Sequence, residues 1–135
     1  MNSKIWPIYF YRGIARPLLL VLARFLSLFV PKIQDGLAMR NRSVVVPSLK
    51  GRRIWFHFAS GEFEYAKPII RKWKIKHPND SIVASYFSPS IRRQVENYKD
   101  IDFSFATPLE GKACWKQLLL KLKPDALLIA RTDLW

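Results

Sequence analysis

Hydrophobic residues fall into two regimes along the chain. Up to Val30 they run almost unbroken: Ile5 to Tyr11 is rich in aromatics, and Leu18 to Val30 is nearly all aliphatic or Phe. From Ile54 onward they come as short β-prone bursts separated by stretches with helical spacing. Ile54 to Phe58 has the length and composition of a strand. Phe63 to Lys76 places Ala66, Ile69, Ile70 and Trp73 near one helical face. Further strands are expected at Ser81–Phe87, Ile101–Ala106 and Ala126–Ala130. Helices are expected over Ile91–Tyr98 and Lys112–Lys121, the second with Trp115, Leu118 and Leu119 on one side. The turn residues agree: Ser88-Pro89-Ser90 opens a helix, and Pro124-Asp125 precedes the last strand. Pro68 is tolerable only near the first turns of its helix. Strands alternating with helices in this way predict right-handed βαβ crossovers and a parallel, Rossmann-like α/β sheet with flanking helices.

The amino-terminal segment carries a different expectation. A spanning helix needs about 20 apolar residues, but this run is interrupted by Arg24 and preceded by Arg12 and Arg16. At about 100° per residue those arginines share one arc with Ala23 and Ser27, and the remaining surface is apolar. That arrangement fits a helix lying in the membrane interface, arginines reaching the phosphates, and equally an anchor dipping through one leaflet. No small-residue cleavage site follows Val30, which argues against a signal peptide. A buried core helix would have to bury Arg24. The chain therefore divides into a membrane-anchor helix (residues 1–31), a basic connector with a turn at Asp35-Gly36 and room for one short helix (32–53), and an α/β domain (54–135).

Charge sharpens this division. The 135 residues carry a net charge of +13, yet half are hydrophobic. Residues 1–53 hold ten basic residues against Asp35 alone, so the excess is amino-terminal. An anionic partner follows, lipid head groups or nucleic acid. Because the basic residues surround an apolar helix, an anionic membrane is the expected partner and nucleic acid is not. Arg40 and Arg42, with Lys50, Arg52 and Arg53, would add about 1 kcal/mol each at an anionic leaflet. Basic residues on the carboxyl side of the anchor favour a cytoplasmic domain. The lone Cys114 excludes an internal disulfide and reads as a small buried residue.

Candidate chemistry concentrates at Ala59-Ser60-Gly61-Glu62, between the first strand and its helix. Ligands of parallel sheets bind at the carboxyl ends of the strands, where this turn lies, and the first N–H groups of the helix are expected to face the same crevice. Glu62 is thus set at the mouth of a site. Its bland alternative is an acidic residue in a first helical turn, stabilised by the macrodipole. A general base needs a raised pKa, whereas a helix N-terminus lowers it. Ser60 fits the N-cap, and His57 lies close enough to orient a ligand. Two histidines and one cysteine give no metal spacing. No nucleophile elbow, P-loop or glycine-rich dinucleotide pattern occurs.

The motifs together resemble the bacterial 3-deoxy-D-manno-octulosonic acid (Kdo) transferases. Ile54-Trp55-Phe56-His57-Phe58-Ala59-Ser60-Gly61-Glu62 followed by Lys67-Pro68-Ile69 is similar to that family's opening strand, turn and helix, with one residue fewer between His57 and Glu62. Tyr86-Phe87-Ser88-Pro89-Ser90, Thr107-Pro108-Leu109-Glu110 and Leu127 to Trp135 resemble its next three elements. The resemblance implies the amino-terminal half of an inverting, metal-independent GT-B glycosyltransferase, needing no cofactor. Kdo would pass from CMP-Kdo to a lipid A precursor at the cytoplasmic face of the inner membrane, in lipopolysaccharide core synthesis. Glu62 maps onto the family's general base, with His57, Ser60, Gly61, Ser88, Ser90, Arg131 and Asp133 around the acceptor. Arg131 stands where the family has a glutamate; a cation there could bind a phosphate of the acceptor or could mean lost activity. The carboxyl-terminal donor domain lies outside these residues, so the chain is expected to be inactive alone. The alternative is a non-catalytic membrane-surface module or an inactive remnant.

Overall fold

The computed structural model describes residues 9–40, 43–108 and 111–130. They form two compact units that divide after Ala38. In the first unit, a π-helical turn at Tyr11–Ala15 leads into α1, Arg16–Leu26. Pro17 sits in the first positions of α1, where its missing N–H leaves no bond unmade. None of the residues of α1 is buried; Leu18, Val21 and Phe25 are each more than half exposed. Among the described residues no helix is long and apolar enough to cross a membrane.

Helix α2 spans Pro31–Arg40 and runs straight through Asp35 and Gly36. The turn expected there does not form. Its last turn gives a reason: Met39 is buried in the core of the second unit, and packing of that kind overrides the weak local preference of Asp-Gly.

The second unit is built on four parallel strands, β1 (Arg53–Phe58), β2 (Ser81–Tyr86), β3 (Phe103–Ala106) and β4 (Ala126–Ile129), in the order β3-β2-β1-β4. Strand β1 pairs with β2 on one side and β4 on the other. Between them run α3 (Phe63–Lys76), the short α4 (Arg92–Glu96) after a 3₁₀ turn at Pro89–Ile91, and α5 (Lys112–Leu122). The expected α/β sheet is therefore present, and its strand and helix boundaries fall within two residues of those expected, except that Ile91–Tyr98 shortens to α4.

Successive strand side chains point to opposite faces, and β1 shows the consequence. Ile54, Phe56 and Phe58 pack with Phe63, Ala66 and Ile70 of α3 on one face. Trp55 packs with Val83, Phe105, Leu118 and Leu122 on the face that α5 covers. Burial on both faces explains why β1 and β2 read as near-continuous apolar runs. The buried stripe of α5 is Leu118 and Leu122 with Trp115 half-buried; Leu119 is 45% exposed, so it does not join them. Cys114 is exposed, contrary to expectation, because it lies in the first turn of α5 and Trp115 fills the space over Trp55. At the sheet's amino edge Gly51 takes φ +60°, and a Cβ there would collide with the carbonyl oxygen of Asn79.

The same edge is held by Asp80, which is 7% exposed. It accepts from Arg52 Nε and Nη2 at 3.3 and 2.8 Å and from Trp73 Nε1 at 3.0 Å. The Arg52 guanidinium, followed by the Trp73 bond, holds the Asp80 carboxyl below its ordinary 3.8. A lowered folded pKa means stabilisation that is complete above the unfolded value and lost as pH falls through the folded one. Thermal melts should accordingly lose stability below about pH 4, and Asp80→Asn should flatten that acid limb; an unchanged limb would contradict the role of Asp80.

Candidate active site

The carboxyl ends of β1 and β2 are tied together through their loops. Phe87 and Ser88 donate their N–H groups to the carbonyls of Phe58 and Ala59 at 3.0 and 2.9 Å. Strand order reverses between β1 and β4, because β2 and β3 lie on one side of β1 and β4 on the other. In open α/β sheets that reversal leaves a crevice at the carboxyl edge. Here the crevice is a cleft of about 360 Å³ between α3 and β4. Phe56, Ala66, Ile69 and Leu128 are among its apolar walls, and Glu62 is the carboxylate among the described residues that line it. Ile69 and Tyr65 are 52% and 73% exposed. They rim this cleft, which accounts for an apolar pattern on α3 wider than its buried face.

Glu62 itself occupies the N-cap position of α3, with no capping bond from its side chain to the helix. Its Oε2 turns back to accept the N–H of Ser60 at 2.7 Å. The expected roles are thus exchanged: Glu62 caps the helix by position, and Ser60 supplies a backbone donor to it. Two of the first helical N–H groups are also engaged, since Glu64 and Tyr65 donate to the carbonyls of Gly61 and Glu62 at 3.1 Å each. Those two are not offered to the crevice as the sequence led one to expect. Gly61 needs no left-handed backbone, and an added Cβ there would meet nothing within 4 Å. The turn is open to solvent at that point, and Ser60 is exposed.

His57 is near Glu62 in the chain but on the other side of the sheet. Its position in β1 has the same parity as Trp55, and its Nδ1 lies 2.8 Å from Ser85 Oγ on β2, away from the cleft's Phe56. Ser88 caps the 3₁₀ turn by accepting the Ser90 N–H at 3.3 Å, and the two hydroxyls are 2.8 Å apart. Both serines belong to the loop that is bonded to Ala59. The carboxyl edge therefore gathers His57, Ser60, Gly61, Glu62, Ser88 and Ser90, with only Glu62 of these lining the cleft. Arg131 and Asp133 lie outside the described residues.

The basic residues divide in a way the sequence did not indicate. Arg40 stacks on Phe87, its Cζ 3.5 Å from the ring centre, and donates to the Phe87 carbonyl at 2.9 Å. Burial pushes its guanidinium pKa down. Arg40 is thereby fastened to the carboxyl end of β2 and is not displayed on a solvated connector. Arg52 is engaged by Asp80, and Arg53 donates to the Leu122 carbonyl at 3.0 Å. In the first unit Arg24 is exposed and Arg16 half-buried; Arg42 and the side chain of Arg12 lie outside the described residues. Among the described residues, no group of three or more His, Cys, Asp or Glu is placed to hold a metal ion.

Among the described residues the cleft joins apolar walls to one carboxylate, a group able to take a proton from a bound hydroxyl. The relatives of the chain bear on this. Its sequence is 27% identical over 89 residues to the 3-deoxy-D-manno-octulosonic acid transferases of Chlamydia trachomatis serovar D and serovar A. The matched stretch is 64% of this chain and 21% of each relative, so the chain spans about a fifth of their length. No solved structure matches significantly. Residues 35–135 match the family described as 3-deoxy-D-manno-octulosonic-acid transferase (kdotransferase), and the chain belongs to that family.

Proposed function

We propose that the second unit is the acceptor-binding half of an inverting, metal-independent GT-B glycosyltransferase. In this reading Glu62 removes the proton from the sugar hydroxyl of a lipid A precursor as that oxygen attacks Kdo. The donor, CMP-Kdo, is held by a second Rossmann-like domain outside these 135 residues. The observation that carries the proposal is the position of Glu62, a carboxylate at the mouth of the β1/β4 cleft in a chain of this family. One well-placed carboxylate satisfies the chemistry, since displacement with inversion needs a base and no protein nucleophile. The test joins residues 1–135 to the donor domain of a related transferase and assays Kdo transfer from CMP-Kdo. Transfer by the joined protein and none by residues 1–135 alone is expected. A folded joined protein that never transfers would favour an inactive remnant, for which Arg131 in place of the family's glutamate is the specific sign.

The exposed apolar surface of α1, together with Arg16 and Arg24, supports a second part of the proposal: residues 9–30 lie in the membrane interface and bring the acceptor within reach. The full chain is expected to float with phosphatidylglycerol-containing vesicles, more strongly at low salt, and Arg16→Glu with Arg24→Glu should weaken flotation. Recovery of the full chain in the soluble fraction without detergent would contradict this. Reversing charge at Arg40, Arg52 or Arg53 is a poor probe of lipid binding, because each is hydrogen-bonded to the second unit.

A further inference from the structure

Ser85 is fully buried in β2, and its hydroxyl touches two ring nitrogens from β1. Trp55 Nε1–H donates to Ser85 Oγ at 2.8 Å, and His57 Nδ1 lies 2.8 Å from the same oxygen. A serine hydroxyl has one proton and two lone pairs, and an indole N–H only donates. Trp55 therefore occupies one lone pair and leaves the Ser85 proton needing an acceptor. A buried hydroxyl with its hydrogen bond unmade is costly. Among the described residues the acceptor in reach is His57 Nδ1. The alternative, Nδ1–H donating to Ser85, would fill both lone pairs and strand the serine proton inside the sheet.

We propose that Trp55 and Ser85 form a buried relay that holds His57 as the neutral tautomer with its proton on Nε2, making His57 a hydrogen-bond donor to an oxygen of the bound acceptor sugar. Ser85 is then a positioning residue, acting through His57. The donor role rests on the proposed acceptor site at this edge; the tautomer does not. The relay also separates the duties of the two titratable side chains near the end of β1. An Nε2–H imidazole has no lone pair at that atom, and a proton taken at Nδ1 would break the Ser85 bond. Proton removal is left to Glu62, across the sheet.

The full chain contains two histidines, His57 and His77, so ¹⁵N-histidine labelling gives a simple two-bond ¹H–¹⁵N spectrum. At neutral pH one ring should show a pyridine-like Nδ1 and a pyrrole-like Nε2. Its Nδ1 resonance should move to the unbonded value in Ser85→Ala and return in Ser85→Thr. A protonated Nδ1 on His57 in the wild-type chain, or an Nδ1 resonance unmoved by Ser85→Ala, would overturn the relay; if Ser85→Ala does not fold, the wild-type spectrum alone decides. In the joined enzyme, Ser85→Ala should raise KM for the acceptor more than it lowers kcat. A kcat loss as large as that of Glu62→Gln would place His57 in the proton transfer and overturn the donor role. Full activity of Glu62→Gln with the expected spectrum would remove the base assignment and leave the relay standing.

Discussion

Glu62→Gln, made in the chain joined to a donor domain, is expected to lower kcat for Kdo transfer by about 10²–10⁴-fold, the usual contribution of a positioned general base. The amide keeps the shape of the carboxylate and its acceptor oxygen, so the bond from the Ser60 N–H at 2.7 Å can persist. What it loses is the capacity to take a proton. KM for the acceptor should change little, because the cleft's walls are apolar side chains from α3 and β4 and do not depend on the charge. Glu62→Asp retains basicity but withdraws the carboxylate by one methylene, and should fall between wild type and Gln. If Glu62→Gln raised KM with kcat unchanged, the side chain would be a binding group and not the base.

The second large effect is on stability. Phe58 is fully buried, with its ring centre 5.2 Å from that of Phe63 and 6.3 Å from that of Phe56. Phe58→Ala removes the contact that joins the end of β1 to the start of α3 and leaves a cavity beside the turn that carries Glu62. Such truncations cost about 3–5 kcal/mol, against a total of about 5–15 kcal/mol for a typical domain. Chemical denaturation should show the midpoint moving down by most of its range, or no cooperative transition at all. Ile69→Ala is the matched control: Ile69 is 52% exposed on the rim of the cleft, and its loss should change stability by about 0.5 kcal/mol or less. Equal losses from the two substitutions would mean that the core is not where the burial pattern places it.

Much of this fold was legible in the chain because its signals are local. Ile54 to Phe58 and Ser81 to Tyr86 are short apolar runs bounded by turn residues, and the spacing of Ala66, Ile70 and Trp73 marks α3. Pro68 stands within α3, where the N–H it lacks would have met the Glu64 carbonyl; the helix continues through it. Features that depend on distant partners were misread. Arg40, half-buried on Phe87 47 residues away, looked solvated in the sequence, and the bond from the still exposed Arg52 to Asp80 spans 28 residues. Asp35-Gly36 has the composition of a turn, and only the burial of Met39 reveals why the helix continues. The exchange of roles between Ser60 and Glu62 is a matter of one bond's direction within three residues, below what propensity can distinguish.

The candidate site shows the same division. Glu62 was legible because the strand–turn–helix boundary is local, and the crevice's position followed from the parallel topology. The far wall was not, since Leu128 to Ala130 comes from β4, more than 60 residues on, and the turn residue Ala59 gives no hint of it. Nor was Ser85 singled out. Its signal was present as a polar residue inside a wholly buried strand, at the position that pairs with His57, but its meaning required the register between β1 and β2.

The claim on which all of this turns is that the Glu62 carboxylate meets the attacking hydroxyl at the mouth of the β1/β4 cleft. The direct measurement is the distance between them in a structure of the joined enzyme with an acceptor bound. A separation of about 2.6–3.2 Å, or one bridging water, is predicted. An acceptor hydroxyl lying on the α5 side of the sheet, nearer His57 than Glu62, would contradict it.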